Sequence, residues 1–180
     1  MLQGLFSTQE RNKVLYYILE DPETIYRVND VARKLKLNKG TISTYFRFLL
    51  KNNILKNRGR GFVVNLNSPL TRQIKVLLNL RKINIKPILG LKPKGIGLYG
   101  SWAKGVNGKT SDVDIWITFD KRPKEEKIAA AQAKMRNKLK YEIGLLVIDE
   151  ERLKGLKKDE IFYHSLVFDS IVLWGEGLET

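Results

Sequence analysis

Cysteine is absent from this 180-residue sequence, and histidine occurs once, as His164. The chain can therefore form neither a disulfide nor a thiolate metal site, and a single histidine argues against a histidine-rich zinc site. No apolar run reaches the roughly 18 residues of a transmembrane helix. The first residues also lack the basic flank and apolar core of a signal peptide. We therefore expect a cytoplasmic protein without a membrane partner.

Acidic residues are missing from residues 31–60, which carry nine lysines and arginines. Residues 1–90 hold 17 basic and 5 acidic residues, whereas residues 91–180 hold 16 and 14. Because an ordinary solvated surface mixes charge signs, this asymmetry indicates a polyanionic partner. A lysine-rich proteome, such as a thermophile's, is the alternative explanation, but the second half of the chain does not share the bias.

The first 67 residues show three helical patterns followed by a basic hairpin. A capping box at Ser7 and Glu10 predicts a helix that ends near residue 20. Apolar spacing predicts two more helices, over 30–36 and 40–52, and then a strand, a glycine-rich basic tip and a second strand. This order of elements resembles the winged helix-turn-helix.

That resemblance implies double-stranded DNA as a partner, with the third helix in the major groove. Short polar and basic side chains lie opposite the apolar stripe of this helix: Lys39, Thr41, Ser43, Thr44 and Arg47. The hairpin tip adds Arg58 and Arg60, beside glycines that permit close approach to the DNA backbone. Winged helices also mediate protein contacts, and that alternative stays open at this point.

Residues 68–89 are expected to form a helical connector. Ser68 and Pro69 are typical of a helix start, and the apolar stripe that follows is broad enough to require a partner surface. Contact with a second copy in a homodimer and packing within the core are both open.

The second half contains a compound motif. A short apolar strand over 95–99 ends in Gly100-Ser101, ten residues follow, and Asp112-Val113-Asp114 then leads into a second apolar strand over 115–118. This combination resembles the signature of DNA polymerase β-type nucleotidyltransferases, and especially of the minimal prokaryotic ones. The resemblance covers about residues 90–175. It implies a nucleoside triphosphate as substrate, Mg²⁺ or Mn²⁺ as cofactor, and an unidentified acceptor.

The chemistry of such a site explains the spacing. Residues i and i+2 of a strand point to the same side, so Asp112 and Asp114 would aim two carboxylates at one metal ion. Gly100 leaves room for a phosphate, Ser101 can donate a hydrogen bond to it, and Lys104 lies one turn further on. The alternative is a surface turn with an incidental acidic pair.

A third carboxylate is usual in this superfamily, on a later strand. Glu142 and Asp149 are the candidates in the strand predicted over 141–149, and Gly144 occupies the middle of that strand. We prefer Glu142 as the third catalytic residue, because it shares a strand face with Gly144.

The sequence therefore predicts an α+β protein with three parts. A winged helix-turn-helix (1–67) and a connector (68–89) precede a small mixed α/β nucleotidyltransferase sheet domain (90–180). The expected function is Mg-dependent transfer of a nucleotidyl group to an acceptor hydroxyl by a DNA-binding protein. The alternative is a transcription regulator whose degenerate transferase domain senses nucleotides or binds a partner. A third carboxylate beside the aspartate pair would favour the enzyme.

Overall fold

In the computed structural model, which describes residues 2–179, the chain divides into two units between Leu78 and Asn79. The N-terminal unit contains, in chain order, α1 (Leu2–Phe6), α2 (Gln9–Glu20), α3 (Val28–Leu35), α4 (Lys39–Lys51), β1 (Leu55–Arg58), β2 (Gly61–Val64) and most of α5 (Pro69–Lys82). The three predicted helices and the hairpin are all present. The winged helix-turn-helix prediction is confirmed as an architecture.

The start of α2 differs from the predicted capping box. Thr8 is the N-cap, with extended backbone angles, and its side chain accepts a hydrogen bond from the Arg11 amide. The Ser7 hydroxyl instead accepts from the guanidinium of Arg11 at 3.1 Å. Ser7 and Thr8 are both residue types that favour the N-cap position. Thr8 caps the helix because its backbone has the extended angles of an N-cap.

The core of the N-terminal unit is built around α4. Ile42, Phe46 and Leu49 are buried as their spacing predicts. Tyr45 is buried with them, and its hydroxyl donates to the Leu5 carbonyl at 2.8 Å. This contact attaches the short α1 to the core, because a buried hydroxyl needs a hydrogen-bond partner.

The hairpin closes at Gly59, whose φ of +57° suits glycine. β1 and β2 pair antiparallel, with Arg58 opposite Gly61. Tyr26, in the segment between α2 and α3, pairs with Phe62 of β2 in an isolated antiparallel bridge. This bridge connects that segment to the hairpin.

The C-terminal unit is a four-stranded mixed sheet with helices. In chain order it contains the end of α5, α6 (Lys86–Leu89), β3 (Gly95–Tyr99), α7 (Gly100–Lys104), β4 (Val113–Thr118), α8 (Glu125–Leu139), β5 (Ile143–Ile148), α9 (Glu150–Leu156), α10 (Glu160–Phe168) and β6 (Ile171–Gly175). The strand order is β5-β4-β3-β6, with β4 and β5 parallel and the other pairs antiparallel. The predicted fold class is therefore confirmed.

Both faces of this sheet are covered. Ile115 of β4 belongs to a core cluster with Met135 of α8, whereas Trp116 belongs to the opposite cluster with Leu166 of α10. Alternation along β4 thus places Asp114 on the α10 side, the same side as Trp116. Within the described residues, no helix is both long and apolar enough to span a membrane.

Candidate functional site

Two aspartates lie where β4 begins. Asp112 immediately precedes the strand, and Asp114 is its second residue. In the sheet, Asp114 lies opposite Tyr99 of β3 on one side and Gly144 of β5 on the other. Since β3 leads directly into α7 at Gly100, the aspartates and the Gly-Ser turn share one end of the sheet.

The carboxylate of Asp114 is held between two glycines. A Cβ built on Gly100 would lie 2.5 Å from Oδ2 of Asp114, and one on Gly144 would lie 2.9 Å from Oδ1. Gly100 also has a φ of +69°, which disfavours side chains. Glycine at both positions therefore lets Asp114 occupy this place.

The electrostatics of the pair suit a cation. Burial, and then the negative charge of Asp112, raise the pKa of the Asp114 carboxyl above its ordinary value. A hard divalent cation prefers carboxylate oxygens and would offset this repulsion, so the two aspartates fit one such ion. In the described part of the chain, no group of three acidic or histidine side chains is arranged to hold a metal.

The remaining nucleotide-binding candidates lie on α7. Ser101 is half-buried in the first turn of this helix, next to Gly100. Lys104 ends the helix, and its ammonium contacts Oδ2 of Asp169 at 2.8 Å. The hydrogen bond and charge of Lys104 lower the pKa of Asp169. In the structure, then, Lys104 pairs with an acid just beyond α10.

The two candidates for a third carboxylate lie at opposite ends of β5. Glu142 precedes the strand, where its carbonyl accepts a hydrogen bond from the Val113 amide, and its carboxylate pairs with Arg136 at 3.6 Å. Asp149 follows the strand and caps α9 by accepting from the Arg152 amide. The structure brings Glu142 to the Asp112 end of the sheet, but it does not gather the three carboxylates into one cluster.

A cavity of about 410 Å³ adjoins Asp112. Its charged lining comes from the loop before β4, the end of α8 and the start of β5: Lys109, Asp112, Arg136, Lys140 and Glu142. Sequence reasoning missed the three basic residues, because they are separated along the chain and converge only through the parallel pairing of β4 and β5.

The basic residues of the N-terminal unit lie on its surface. On α4, Lys39, Thr44 and Arg47 are exposed and Thr41 and Ser43 are half-buried, on the side away from the buried stripe. Arg58 and Arg60 are exposed at the hairpin tip. This is the arrangement of a helix and wing that could both meet a nucleic-acid backbone.

Two family models match parts of the chain. The family model described as "Nucleotidyltransferase domain" matches residues 77–167, and that described as "Bacterial regulatory protein, arsR family" matches residues 8–57. A Methanocaldococcus jannaschii protein, MJ1215, provisionally named a protein adenylyltransferase, is 31% identical over 74 residues, which are 41% of this chain and 84% of that protein.

Solved structures match the chain as well. A mutant of the toxin–antitoxin MntA-HpeT has a TM-score of 0.36 and 22% identity, over 58% of this chain and 72% of that chain. A provisionally assigned nucleotidyltransferase from Sulfolobus solfataricus has a TM-score of 0.33 and 18% identity, over 58% and 87%.

Proposed function

Because the chain belongs to the nucleotidyltransferase domain family and carries an arsR-family helix-turn-helix, we propose that it is a DNA-binding nucleotidyltransferase. Its C-terminal unit binds a nucleoside triphosphate with Mg²⁺ and transfers the nucleotidyl group to an acceptor hydroxyl. Its N-terminal unit binds double-stranded DNA. We place this activity in the cytoplasm.

The observation that carries this proposal is the fixed position of Asp114 beside the Gly-Ser turn. Asp112 and Asp114 would hold the cation, and the adjoining Gly100-Ser101 turn would receive a phosphate. The Ser101 hydroxyl, which has no hydrogen-bond partner among the described residues, would donate to that phosphate. When bound, Mg²⁺ would neutralise charge on the phosphates during the displacement.

Nucleotide binding by wild type and by three variants tests this site. Asp112→Asn and Asp114→Asn each remove a ligand charge at nearly constant volume, so both should lose metal-dependent triphosphate binding. Asp120→Asn is the matched control, because Asp120 is a highly exposed residue paired with Lys94. Equal Mg²⁺-dependent binding by all four proteins would exclude the site.

Transfer itself requires a separate assay. The purified protein is incubated with labelled triphosphates and with protein, tRNA and oligonucleotide acceptors, and the labelled product is identified. Protein hydroxyls are included because of the name that the relative MJ1215 carries. Stable labelling that is lost in Asp112→Asn supports transfer, whereas binding without labelling or pyrophosphate release opposes it.

A second candidate function is a transcription regulator that senses nucleotides without transferring them. Two observations favour it: Gly144 lies opposite Asp114 where an acid would complete the site, and Glu142 is paired with Arg136. For this candidate we expect a nucleoside triphosphate to change DNA affinity while remaining intact. Measuring DNA affinity with and without triphosphate, together with its hydrolysis or transfer, separates the two functions.

A homodimer remains part of the proposal for the DNA-binding role. Leu70, Ile74 and Leu78 of α5 pack into the core of the N-terminal unit, so the contact would use the outer side of this helix, where Leu77 is exposed. Sedimentation of the intact chain with and without duplex DNA would test it. A single monomer bound per duplex would oppose the dimer.

A further inference from the structure

The ten residues 102–111, which separate the Gly-Ser turn from the aspartate pair, are attached to the rest of the C-terminal unit by side-chain hydrogen bonds. Asn107 is buried, and its Oδ1 accepts a hydrogen bond from the side chain of Asn79, in the last turn of α5, at 2.9 Å. Further along, the Gly108 amide donates to the Ser111 hydroxyl oxygen at 2.9 Å and closes a local turn. The gap of ten residues in the sequence motif is therefore an ordered loop, although its tip at residues 109–110 is exposed.

Trp102 connects α7 to this loop. The residue is fully buried, and its indole N–H donates to the Ser111 carbonyl at 3.3 Å. Its own carbonyl accepts from the Asn79 side chain at 2.9 Å. Carbonyls near a helix end lack partners within the helix, and a buried polar group needs one. The amide group of Asn79 therefore holds both the end of α7, through Trp102, and the loop, through Asn107.

Asp112 receives its position from these contacts as much as from the sheet. It is exposed and lies just before β4, but the peptide groups on both sides of it are held. The peptide before it is held at the Ser111 carbonyl by Trp102. The peptide after it is held at the Val113 amide, which donates to the Glu142 carbonyl at 2.9 Å. Because a peptide group is planar, holding both groups limits the two backbone torsions of Asp112 and hence the direction of its carboxylate.

From this geometry we propose that Trp102 and Asn79 are positioning residues for the cation site. Through the Ser111 carbonyl and the loop, they hold the Asp112 carboxylate at the end of the sheet where Asp114 lies. Neither residue touches the cation or the triphosphate. This inference rests on the proposed function of the aspartate pair. The burial of both residues, with 0% of Trp102 and 3% of Asn79 exposed, supports it, because a buried and hydrogen-bonded network makes the segments that it joins rigid.

A second tryptophan offers a matched comparison for Trp102. Trp116 is also fully buried, and its indole N–H donates to the Ser170 hydroxyl at 3.1 Å. Trp102→Phe and Trp116→Phe thus remove the same donor and the same volume, and both should lower the free energy of unfolding. Changes in groups that orient a metal ligand cost about 10- to 100-fold in affinity, so Trp102→Phe should bind Mn²⁺ more weakly by about that factor. Trp116→Phe should match the wild type, and equal Mn²⁺ affinities of the two folded variants would overturn the proposal.

Asn79 is tested against another buried polar residue of the same helix. Asn79→Leu removes the donor to Trp102 and Asn107 with little change in volume, whereas Thr71→Val removes a hydroxyl that donates to the Asn53 carbonyl. Asn79→Leu should weaken Mn²⁺ binding, and Thr71→Val should not. Because both carboxylates remain in Asn79→Leu, excess Mn²⁺ should restore its metal-dependent triphosphate binding. Failure of excess Mn²⁺ to restore binding, or an equal loss in Thr71→Val, would overturn the positioning role.

Amide hydrogen exchange of the metal-free full chain tests the positioning without any ligand. Local opening of a segment raises its exchange rate without global unfolding. Trp102→Phe should therefore speed exchange within residues 106–113 and leave α8 unchanged, whereas Trp116→Phe should leave residues 106–113 protected. Unchanged exchange of this segment in Trp102→Phe would overturn the proposal. If the wild type bound neither Mn²⁺ nor a triphosphate, the proposed function would be refuted, and the exchange rates would still decide whether Trp102 holds the loop.

Discussion

The position of Asp114 between two glycines predicts a specific pattern among three Gly→Ala variants. Gly59→Ala adds a Cβ at a φ of +57° with nothing within 4 Å, so it introduces backbone strain alone. Gly144→Ala has an ordinary φ and brings its Cβ to 2.9 Å from Asp114, so it introduces steric conflict alone. Gly100→Ala combines a φ of +69° with an approach of 2.5 Å to Asp114.

The expected magnitudes follow from these contacts. A left-handed backbone costs a residue with a Cβ about 1 kcal/mol, so Gly59→Ala and Gly100→Ala should each lower the free energy of unfolding by roughly that amount. A displaced carboxylate loses metal geometry, and changes in the residues that orient a metal ligand cost about 10- to 100-fold in affinity. Gly100→Ala and Gly144→Ala should therefore bind Mn²⁺ more weakly by about that factor, and Gly59→Ala should match the wild type.

Urea unfolding gives the stability of each variant, and the electron paramagnetic resonance of free Mn²⁺ gives its metal affinity. The reasoning is refuted if Gly144→Ala binds Mn²⁺ as tightly as Gly59→Ala does. It is also refuted if all three variants lose stability and affinity in the same proportion, because fold damage alone would then explain both.

Three further predictions concern charge and hydrogen bonding. The pKa of the Asp114 carboxyl is raised, so the folded, metal-free protein binds the carboxyl proton more tightly than the unfolded chain does. The free energy of unfolding should therefore fall as the pH rises from 3.8 through the raised pKa of Asp114. Asp114→Asn should remove this pH dependence from urea unfolding measured over the same pH range. Replacing Arg58 and Arg60 with alanine should make the log–log salt slope of duplex binding shallower by about 1.8, as two lost phosphate contacts require, with little change in sequence preference. Tyr45→Phe should lower the free energy of unfolding by about 1 kcal/mol in thermal or urea melts, because it removes the donor to the Leu5 carbonyl, and an unchanged value would mean that this bond adds nothing.

Most of the fold could be predicted because local patterns and tertiary packing agree. Apolar spacing in α4 predicted the burial of Ile42, Phe46 and Leu49, although not that of Tyr45. The compound motif at residues 95–118 gave the order of β3, α7 and β4. The helices that were missed, α1 and α6, have five and four residues. Such short helices show too few turns for a period to be visible, and tertiary contacts such as the one from Tyr45 to Leu5 stabilise them.

The candidate site was predictable where neighbouring residues form it, and it was not where distant residues do. The period of one strand predicts that Asp112 and Asp114 lie together, and the charge of Asp112 does raise the pKa of Asp114. The face predicted for Glu142 does not follow in the same way, because Glu142 precedes β5. The contacts of Lys104 with Asp169 and of Glu142 with Arg136 depend on long side chains with several rotamers and on elements far apart in sequence. The period of a strand predicts the face on which a side chain lies. It does not predict which residue a flexible charged side chain contacts.

The contact between Glu142 and Arg136 is therefore central to the difference between a transferase and a sensor. Gly144 cannot carry the third acid while Asp114 keeps its place, since even a Cβ there would lie 2.9 Å from Oδ1. An acid for catalysis would have to come from Glu142, which precedes β5 at the Asp112 end of the sheet, since Asp149 follows the strand at its other end. The ion pair that occupies Glu142 is exposed and weak, so it does not prevent Glu142 from moving. The free energy for that movement must come from a ligand that binds Arg136 more strongly than Glu142 does.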